Sequence, residues 1–188
     1  MLSSKDKKYL LQLAQRTLEK YFREGKKVQL EAEDLPSSLK EKKGVFVTLE
    51  ENGQLRGCIG NLYPDKPIYE AVIDNTLASA LFDPRFPSVT ASELPAIKIE
   101  ISVLSPLKRL TSLSSPQQLL DYLEKNKPGL LIKKDNRQAT FLPQVWEELP
   151  KAESFLQHLC RKAGMDSQEW KKMGLEIYEY KVEKFKQQ

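Results

Sequence analysis

The sequence has few of the residues that most often carry catalysis, metal binding or cross-links. Its 188 residues include two cysteines and one histidine. Cys58 and Cys160 are too far apart for a CxxC redox or zinc motif, and two cysteines do not form a disulfide framework. A cysteine or serine nucleophile would have only His158 as an imidazole base, and a zinc site would lack ligands. We therefore predict no metal site and a narrow range of enzyme classes.

A long hydrophobic run is also missing. No eighteen consecutive residues are apolar, so no membrane-spanning helix is predicted. The N-terminal stretch MLSSKDKKYLLQLAQR interrupts its apolar residues with Lys, Gln and Arg, unlike a signal peptide. Hydrophobic residues make up 40% of the chain and charged residues 30%, which is typical of a globular protein. We expect a cytoplasmic protein with no membrane partner.

The positive charge is spread along the chain. The net charge of +4 arises from +4 over residues 1–43, −4 over residues 44–100 and +4 over residues 101–188. Nucleic-acid binding requires a concentrated basic face, because affinity comes from neutralising several phosphates together. The charge distribution therefore disfavours a nucleic-acid partner.

One β-hairpin is well marked in the string GVFVTLEENGQLRGCIG. Asn52–Gly53 suits a two-residue type I′ turn, in which both central residues have positive φ. With these two residues as the loop, Thr48 pairs with Gly57, and Cys58 pairs with the residue before Thr48. Cys58 and Arg56 then share a face with the alternate apolar residues of the first strand.

Helices and strands mix without a regular βαβ alternation. Apolar spacing, caps and turn residues predict the remaining elements: a helix from Ser4, as N-cap, to Glu24; a central helix after Asp65-Lys66-Pro67; a strand over Ile97–Val103; a helix from Ser115-Pro116 to Lys125; a hairpin with its turn at Asp135–Asn136; helices over 144–149 and 153–164; a helical turn from Asp166; and a strand over 175–182. This pattern predicts an α+β protein with a mainly antiparallel sheet and flanking helices.

The most unusual string is LRGCIG, residues 55–60. Gly57 and Gly60 weaken a strand, so they indicate a bulge or a place where another group approaches the backbone closely. A thiolate at Cys58 would be stabilised by Arg56, and small neighbours would leave a gap that admits a ligand. The alternative is that Cys58 is a small buried hydrophobe and that the glycines shape a bend.

A second candidate is FDPRFP, residues 82–87. Asp83 can accept from the backbone, while the forked guanidinium of Arg85 suits a carboxylate or phosphate, that is, a small anionic ligand. Alternatively, Asp83 and Arg85 pair with each other or cap the preceding helix.

A third candidate is TFLPQVW, residues 140–146. Thr140 and Gln144 could contribute polar groups to a ligand pocket walled by Phe141 and Trp146. An aromatic pair in the core beside a helix start is the favoured alternative.

Taken in order, the strings LRGCIG, DPRFPSVTASELP, IEISVLSP, TFLPQVW and FLQHLCRKAG closely resemble the AMMECR-type domain family, called AmmeMemoRadiSam system protein A in prokaryotes. The resemblance covers essentially the whole chain as a single domain of this type. It implies an α+β fold of two unequal lobes, with LRGCIG facing the region between them. One departure is the string KKDNRQATF, which stands where family members often have a Gly-rich turn.

The resemblance also implies partners but no particular reaction or cofactor. It implies an association with a Memo-type protein, related in fold to class III extradiol dioxygenases, and with a radical-SAM enzyme. Our favoured hypothesis is an accessory module that binds a ligand or partner in a cleft lined by LRGCIG. The alternative is a thiol-dependent enzyme with Cys58 as nucleophile and with Arg56 and Arg85 holding an anionic substrate. The third hypothesis is that the protein binds nucleic acid.

Overall fold

A computed structural model describes residues 2–187 and divides them into two compact units. Unit 1 comprises residues 2–105 together with residues 183–187, and unit 2 comprises Pro106–Val182. Each unit has one antiparallel four-stranded sheet and its own hydrophobic core. The predicted α+β class with mainly antiparallel pairing is therefore confirmed.

The helices and strands follow in chain order. The helices are α1 (Ser4–Glu24), α2 (Ser37–Lys40), α3 (Ile68–Leu81), α4 (Pro116–Asn126), α5 (Val145–Glu148) and α6 (Ala152–Lys162). The strands are β1 (Val45–Glu51), β2 (Gln54–Asn61), β3 (Ile97–Leu104), β4 (Lys108–Arg109), β5 (Gly129–Lys134), β6 (Arg137–Phe141), β7 (Glu176–Tyr180) and β8 (Val182–Lys186). Three short 3-10 helices lie at Ala32–Asp34, Ala91–Ala96 and Glu169–Lys172.

Helix α1 shows how local chemistry sets an element's ends. Its N-cap is Ser3, not Ser4 as expected, because the Ser3 hydroxyl accepts from the Asp6 N–H while the Asp6 carboxylate accepts from the Ser3 N–H. This reciprocal pair satisfies two backbone donors that the helix itself leaves free. Gly25 ends the helix at φ 67°, a left-handed conformation that costs glycine little.

The sheet of unit 1 has the order β2-β1-β3-β8. Along β1, Val45, Val47 and Leu49 are fully buried, and α3 packs against both β1 and β2. This confirms α3 as the predicted central helix. The predicted strand over Ile97–Val103 is confirmed as β3, and its polar alternate residues Glu100 and Ser102 are buried along with its apolar ones.

The sheet of unit 2 has the order β4-β7-β5-β6. Helices α4 and α6 contribute Leu119, Leu123, Phe155 and Leu159 to its core. The predicted N-cap at Ser115 and the turn at Asp135, with φ 53°, are confirmed. Within residues 2–187, no helix combines the length and the apolar character needed to cross a membrane.

The chain after Leu175 differs from the prediction. The predicted single strand over 175–182 is wrong, because β7 ends at Tyr180 in the sheet of unit 2 and β8 begins at Val182 in the sheet of unit 1. The helical turn predicted from Asp166 is a 3-10 helix that begins at Glu169, with Asp166 accepting from the Gln168 N–H.

Candidate functional site

The hairpin of β1 and β2 contains a β-bulge at Arg56. Asn52 and Gly53 have φ of 51° and 78°, as a type I′ turn requires. Glu50 pairs with Leu55, but Leu49 pairs with Gly57, so Arg56 is an extra residue in β2. The expected pairing of Thr48 with Gly57 is wrong by one residue.

The bulge moves Cys58 to the other face of the sheet. Cys58 pairs with Thr48, so its side chain lies on the face of Phe46 and Thr48, and the expected position beside the apolar residues of β1 is wrong. The Thr48 hydroxyl donates to the Cys58 sulfur at 3.3 Å. Cys58 as a residue is partly exposed, so it is not fully buried as the alternative interpretation held.

Asp83 joins Cys58 to Arg85. Its side chain is 2% exposed. Oδ2 accepts from the Cys58 N–H at 2.8 Å and from Arg85 Nη2 at 2.7 Å, while Oδ1 accepts from the Arg85 N–H at 3.1 Å and from Arg85 Nε at 3.0 Å. The hydrogen bonds from Arg85 and from the two backbone groups hold the pKa of Asp83 well below its usual range. Asp83 is thus occupied by its own chain, as the pairing alternative predicted.

Arg85 is held by Asp83 yet faces solvent. Its side chain is 54% exposed, and Nη2 lies 3.4 Å from the Cys58 carbonyl oxygen. The bonds to Asp83 raise the pKa of Arg85. Nη1 makes no hydrogen bond with residues 2–187. The structure therefore presents a fixed guanidinium with one free edge next to Cys58.

Arg56 is held by a carboxylate and by a backbone carbonyl group. Its Nε donates to Glu93 Oε1 at 2.7 Å and its Nη1 to the Pro87 carbonyl oxygen at 2.8 Å. The bond from Arg56 lowers the pKa of Glu93 to about 2, with help from Thr90. The observed partners of Arg56 are thus Glu93 and Pro87, while Arg85 bonds to Cys58 through its carbonyl oxygen. Stabilisation of a Cys58 thiolate by Arg56 stays a prediction.

Glu93 is the residue of this region that the sequence interpretation missed. Its Oε2 accepts from the Thr90 N–H at 2.7 Å and from the Thr90 hydroxyl at 2.8 Å. The T-x-x-E spacing of Thr90 and Glu93 is that of a capping box, and this signal was present in the string TASE. We name Arg56, Cys58, Asp83, Arg85 and Glu93 the Cys58 cluster.

The two glycines of LRGCIG, Gly57 and Gly60, lie where other groups of the chain pack directly against the β2 backbone. A Cβ atom on Gly57 would overlap the Ser79 carbonyl oxygen of α3, and one on Gly60 would overlap the Phe46 ring. Ser79 also donates its hydroxyl to the Val47 carbonyl oxygen and accepts from the Ile59 N–H, both at 2.8 Å. The expected gap beside these glycines is wrong, because the chain itself fills it.

The third candidate string lies in unit 2, apart in sequence from the Cys58 cluster. The Thr140 hydroxyl lies 2.7 Å from the Leu130 carbonyl oxygen and 2.6 Å from the Tyr180 hydroxyl. Gln144 is partly buried, and its Oε1 is buried without a hydrogen-bond partner within residues 2–187. The ligand-binding roles of Thr140 and Gln144 stay predictions.

The aromatic residues near this string belong to the core of unit 2. The Trp146 ring stacks on Phe155 with centroids 3.9 Å apart, and its Nε1 donates to the Pro128 carbonyl oxygen at 2.8 Å. Phe141 meets Phe155 edge to face at 5.3 Å. This confirms the core arrangement that the sequence favoured over pocket walls formed by Phe141 and Trp146.

The model of the AMMECR1 family matches residues 11–185. The chain belongs to the AMMECR1 family. A protein of Methanosarcina mazei is 37% identical over 190 residues, which cover 100% of this chain and 94% of the relative. A protein of Methanopyrus kandleri is 36% identical over 196 residues, which cover 100% of this chain and 91% of the relative. The crystal structure of an uncharacterized protein from Pyrococcus horikoshii aligns with a TM-score of 0.85 at 34% identity, over 97% of this chain and 91% of that one.

This AMMECR1-family chain offers little for metal or imidazole chemistry in the part that the structure describes. Among residues 2–187, no group of three or more His, Cys, Asp or Glu side chains is placed to hold a metal ion. His158 is exposed on α6, where its Nδ1 lies 2.9 Å from the Ser154 carbonyl oxygen. It belongs to unit 2, whereas the Cys58 cluster belongs to unit 1.

Proposed function

We propose that this AMMECR1-family protein is an accessory binding module that acts with a Memo-type protein and a radical-SAM enzyme, and that the turn after α3 is its contact surface. One observation carries the proposal: a strongly exposed aromatic ring, Phe82, directly precedes the buried carboxylate that fixes Arg85. Phe82 is 73% exposed. Aromatic residues and arginine are the types most enriched where protein partners bind tightly.

The arrangement favours binding because it is pre-organised. Ordering a long side chain at an interface opposes association, and a side chain that is already fixed avoids part of this cost. Asp83 holds Arg85 through two side-chain bonds and holds the Cys58 backbone through a third. Nη1 of Arg85, which has no hydrogen-bond partner within residues 2–187, can meet an anionic group of the partner.

An accessory role also fits the shortage of catalytic groups. The chain has one histidine, and Asp83 and Glu93 are both engaged by arginines. A partner that supplies the chemistry removes the need for a general base here. The two partner classes come from the family resemblance of the motifs.

Co-purification tests this proposal. The tagged chain is co-expressed with the Memo-type protein and the radical-SAM enzyme of the same organism. We expect at least one of them to be retained, and we expect Phe82→Ala and Arg85→Ala to reduce retention at least tenfold. Tyr63→Ala is the matched control, because Tyr63 is also exposed, at 40%, but lies outside the turn. Retention of neither protein, or equal retention by all variants, overturns the proposal.

A second candidate function is thiol chemistry at Cys58. It is favoured by the partial exposure of the residue Cys58, whose sulfur accepts from Thr48 and whose carbonyl oxygen lies 3.4 Å from Arg85 Nη2. In this function Arg85 holds a small anionic substrate while the Cys58 thiolate forms a bond to an electrophilic carbon of it, and the bond from that carbon to a leaving group breaks with its electron pair departing on the leaving group.

Alkylation by iodoacetamide over a range of pH decides between the two candidates. Cys160 is the internal control, because it is fully buried and burial raises the pKa of its thiol. We expect Cys58 to be labelled in the native protein. Cys160 should be labelled only after the protein is unfolded. A catalytic thiol requires Cys58 to react faster near neutral pH than a model thiol, whose pKa is about 8.5, and to slow in Arg85→Ala. A rate equal to that of the model thiol rejects thiol catalysis.

A further inference from the structure

A groove on unit 1 follows the helix α1 and shares no lining residue with the Cys58 cluster. Its volume is about 430 Å³, which lies in the usual range of small-ligand sites, about 300–1,000 Å³. Five lining residues belong to α1 and one follows β8, and all lie in unit 1: Tyr9, Gln12, Leu13, Gln15, Arg16 and Gln187. None of them is acidic, so the only formal charge in the lining is positive.

One side of this α1 groove is fixed by hydrogen bonds. The Gln187 N–H donates to the Ile99 carbonyl oxygen at 3.0 Å, and its Oε1 accepts from the Ile99 N–H at 2.9 Å. Gln187 Nε2 donates to Gln15 Oε1 at 3.4 Å, and Gln15 Nε2 donates to Glu19 Oε1 at 2.9 Å. A ligand that binds against this side therefore has few side chains to order, which favours affinity.

The remaining polar groups of the groove are unpaired. The Tyr9 hydroxyl, the Gln12 amide and the Arg16 guanidinium have no hydrogen-bond or ion-pair partner within residues 2–187. Their spacing of three and four residues places them on one face of α1, over a span of about 10 Å. Leu13 is 1% exposed and the Tyr9 ring packs against the core, so these two residues give the groove an apolar surface.

The positive charge lies at one end of the groove. Arg16 also lines a second cavity of about 300 Å³, together with Lys20 and Arg23. Arg23 donates to the Glu24 carboxylate, whereas Lys20 has no ion pair in the part of the chain that the structure describes. Glu19 is the one acid in that lining, and it accepts from Gln15. The charge distribution therefore favours an anionic group at the Arg16 end.

We propose that the α1 groove binds a small organic carboxylate with an apolar ring, its carboxylate bonded to Arg16 and its ring lying against Leu13 and Tyr9. The forked guanidinium matches a carboxylate in geometry as well as charge. A tyrosine ring packs well on another ring. The span of about 10 Å between Arg16 and Tyr9 suits a ring that is separated from its carboxylate by a short carbon chain.

The probe is phenylpropionate, added to the full chain labelled with ¹⁵N. We expect the side-chain amide resonances of Gln12 and Gln187 to move and to saturate, while that of Gln168 in unit 2 stays in place. Phenylpropanamide has the same ring and chain without the charge, and should bind about tenfold more weakly. Acetate has the charge without the ring, and should not saturate over the same concentrations.

Two variants of exposed arginines on α1 test the role of Arg16. Arg16→Gln removes the charge from the groove, so it should weaken phenylpropionate binding about tenfold and abolish the preference for the acid over the amide. Arg23→Gln is the matched control, because it removes the same charge from the same helix but outside the groove lining. It should keep the preference for the acid. Dispersed amide spectra verify that both variants are folded.

Equal binding of the acid and the amide by the wild type overturns the proposal, as does an equal loss in Arg16→Gln and Arg23→Gln. Saturation by acetate at the same concentrations also overturns it, because the groove would then bind anions without using its apolar surface. A linear response of all glutamine amides would show that no site exists. None of these results bears on the turn after α3, so this inference and the proposed function fail independently.

Discussion

Asp83 is a single buried carboxylate that fixes two neighbours of different kinds. It holds the backbone of Cys58 in β2 and both the backbone and the guanidinium of Arg85 in the turn after α3. A buried charge is stable only when it is paired and hydrogen-bonded, and here four donors meet that condition. The same contacts therefore stabilise unit 1 and position the proposed contact surface.

We expect Asp83→Ala to lower the free energy of unfolding by about 2–4 kcal/mol, because it leaves the Cys58 N–H and the Arg85 guanidinium without their acceptor. Asp74→Ala in the same unit is the matched control. Asp74 is paired with Lys27 and Lys66 at the surface, and such pairs contribute about 0–1 kcal/mol. Urea unfolding of both variants measures the difference. Equal losses would contradict the assignment of Asp83 as a buried anchor.

The sequence predicted one of the two arginine–carboxylate pairs of the Cys58 cluster but not the other. Pairing of Asp83 with Arg85 could be proposed because the two are close in sequence. The pairing of Arg56 with Glu93 could not, because 37 residues separate them and only the fold brings them together. A guanidinium also reaches several angstroms from its backbone, so the strand position of Arg56 did not reveal its partner.

The bulge in β2 is the element-scale feature on which the site depends. It places Cys58 opposite Thr48 and brings Gly57 against the Ser79 carbonyl oxygen of α3. The type I′ turn was predictable because Asn-Gly has a strong local preference for positive φ. The two glycines indicated a bulge or a close approach, but not a bulge at Arg56, because its position depends on the packing of Gly57 against Ser79 of α3, which lies 22 residues further along the chain.

We expect Gly57→Ala to destabilise the protein by about 1–3 kcal/mol, because its Cβ would overlap a backbone oxygen that cannot rotate away. Gly174→Ala is the matched control: a Cβ there meets no atom within 4 Å, and its effect should stay within about 0.5 kcal/mol. Thermal unfolding of the two variants checks the prediction. A neutral Gly57→Ala would mean that β2 and α3 are not packed as closely as described.

At the scale of the whole molecule, acid should destabilise the fold through its paired carboxylates. The pKa of Glu93 falls from its ordinary 4.5 to about 2 in the folded state, and the pKa of Asp83 is also held well below its usual range. A carboxylate with a depressed folded pKa contributes stability that is fully present above its unfolded pKa. That stability is lost as the pH falls through the folded pKa.

We therefore expect the free energy of unfolding to fall as the pH is lowered from about 4.5 to about 2. In Glu93→Gln the total loss over that range should be about 1–3 kcal/mol smaller than in the wild type. Glu147→Gln is the control, because Glu147 is exposed and has no ion pair within residues 2–187. Chemical denaturation at successive pH values measures the slopes. Parallel curves for wild type and Glu93→Gln would show that the Arg56 pair is not formed in solution.

The strand β8 makes unit 1 discontinuous in sequence. Residues 2–105 provide three strands of its sheet, and the fourth follows only after all of unit 2. During synthesis on the ribosome, the outer edge of β3 therefore stays unpaired while the next 77 residues emerge. An open strand edge invites pairing with other chains. A nascent chain that stalls before residue 182 would be exposed to aggregation, even if unit 2 had already folded.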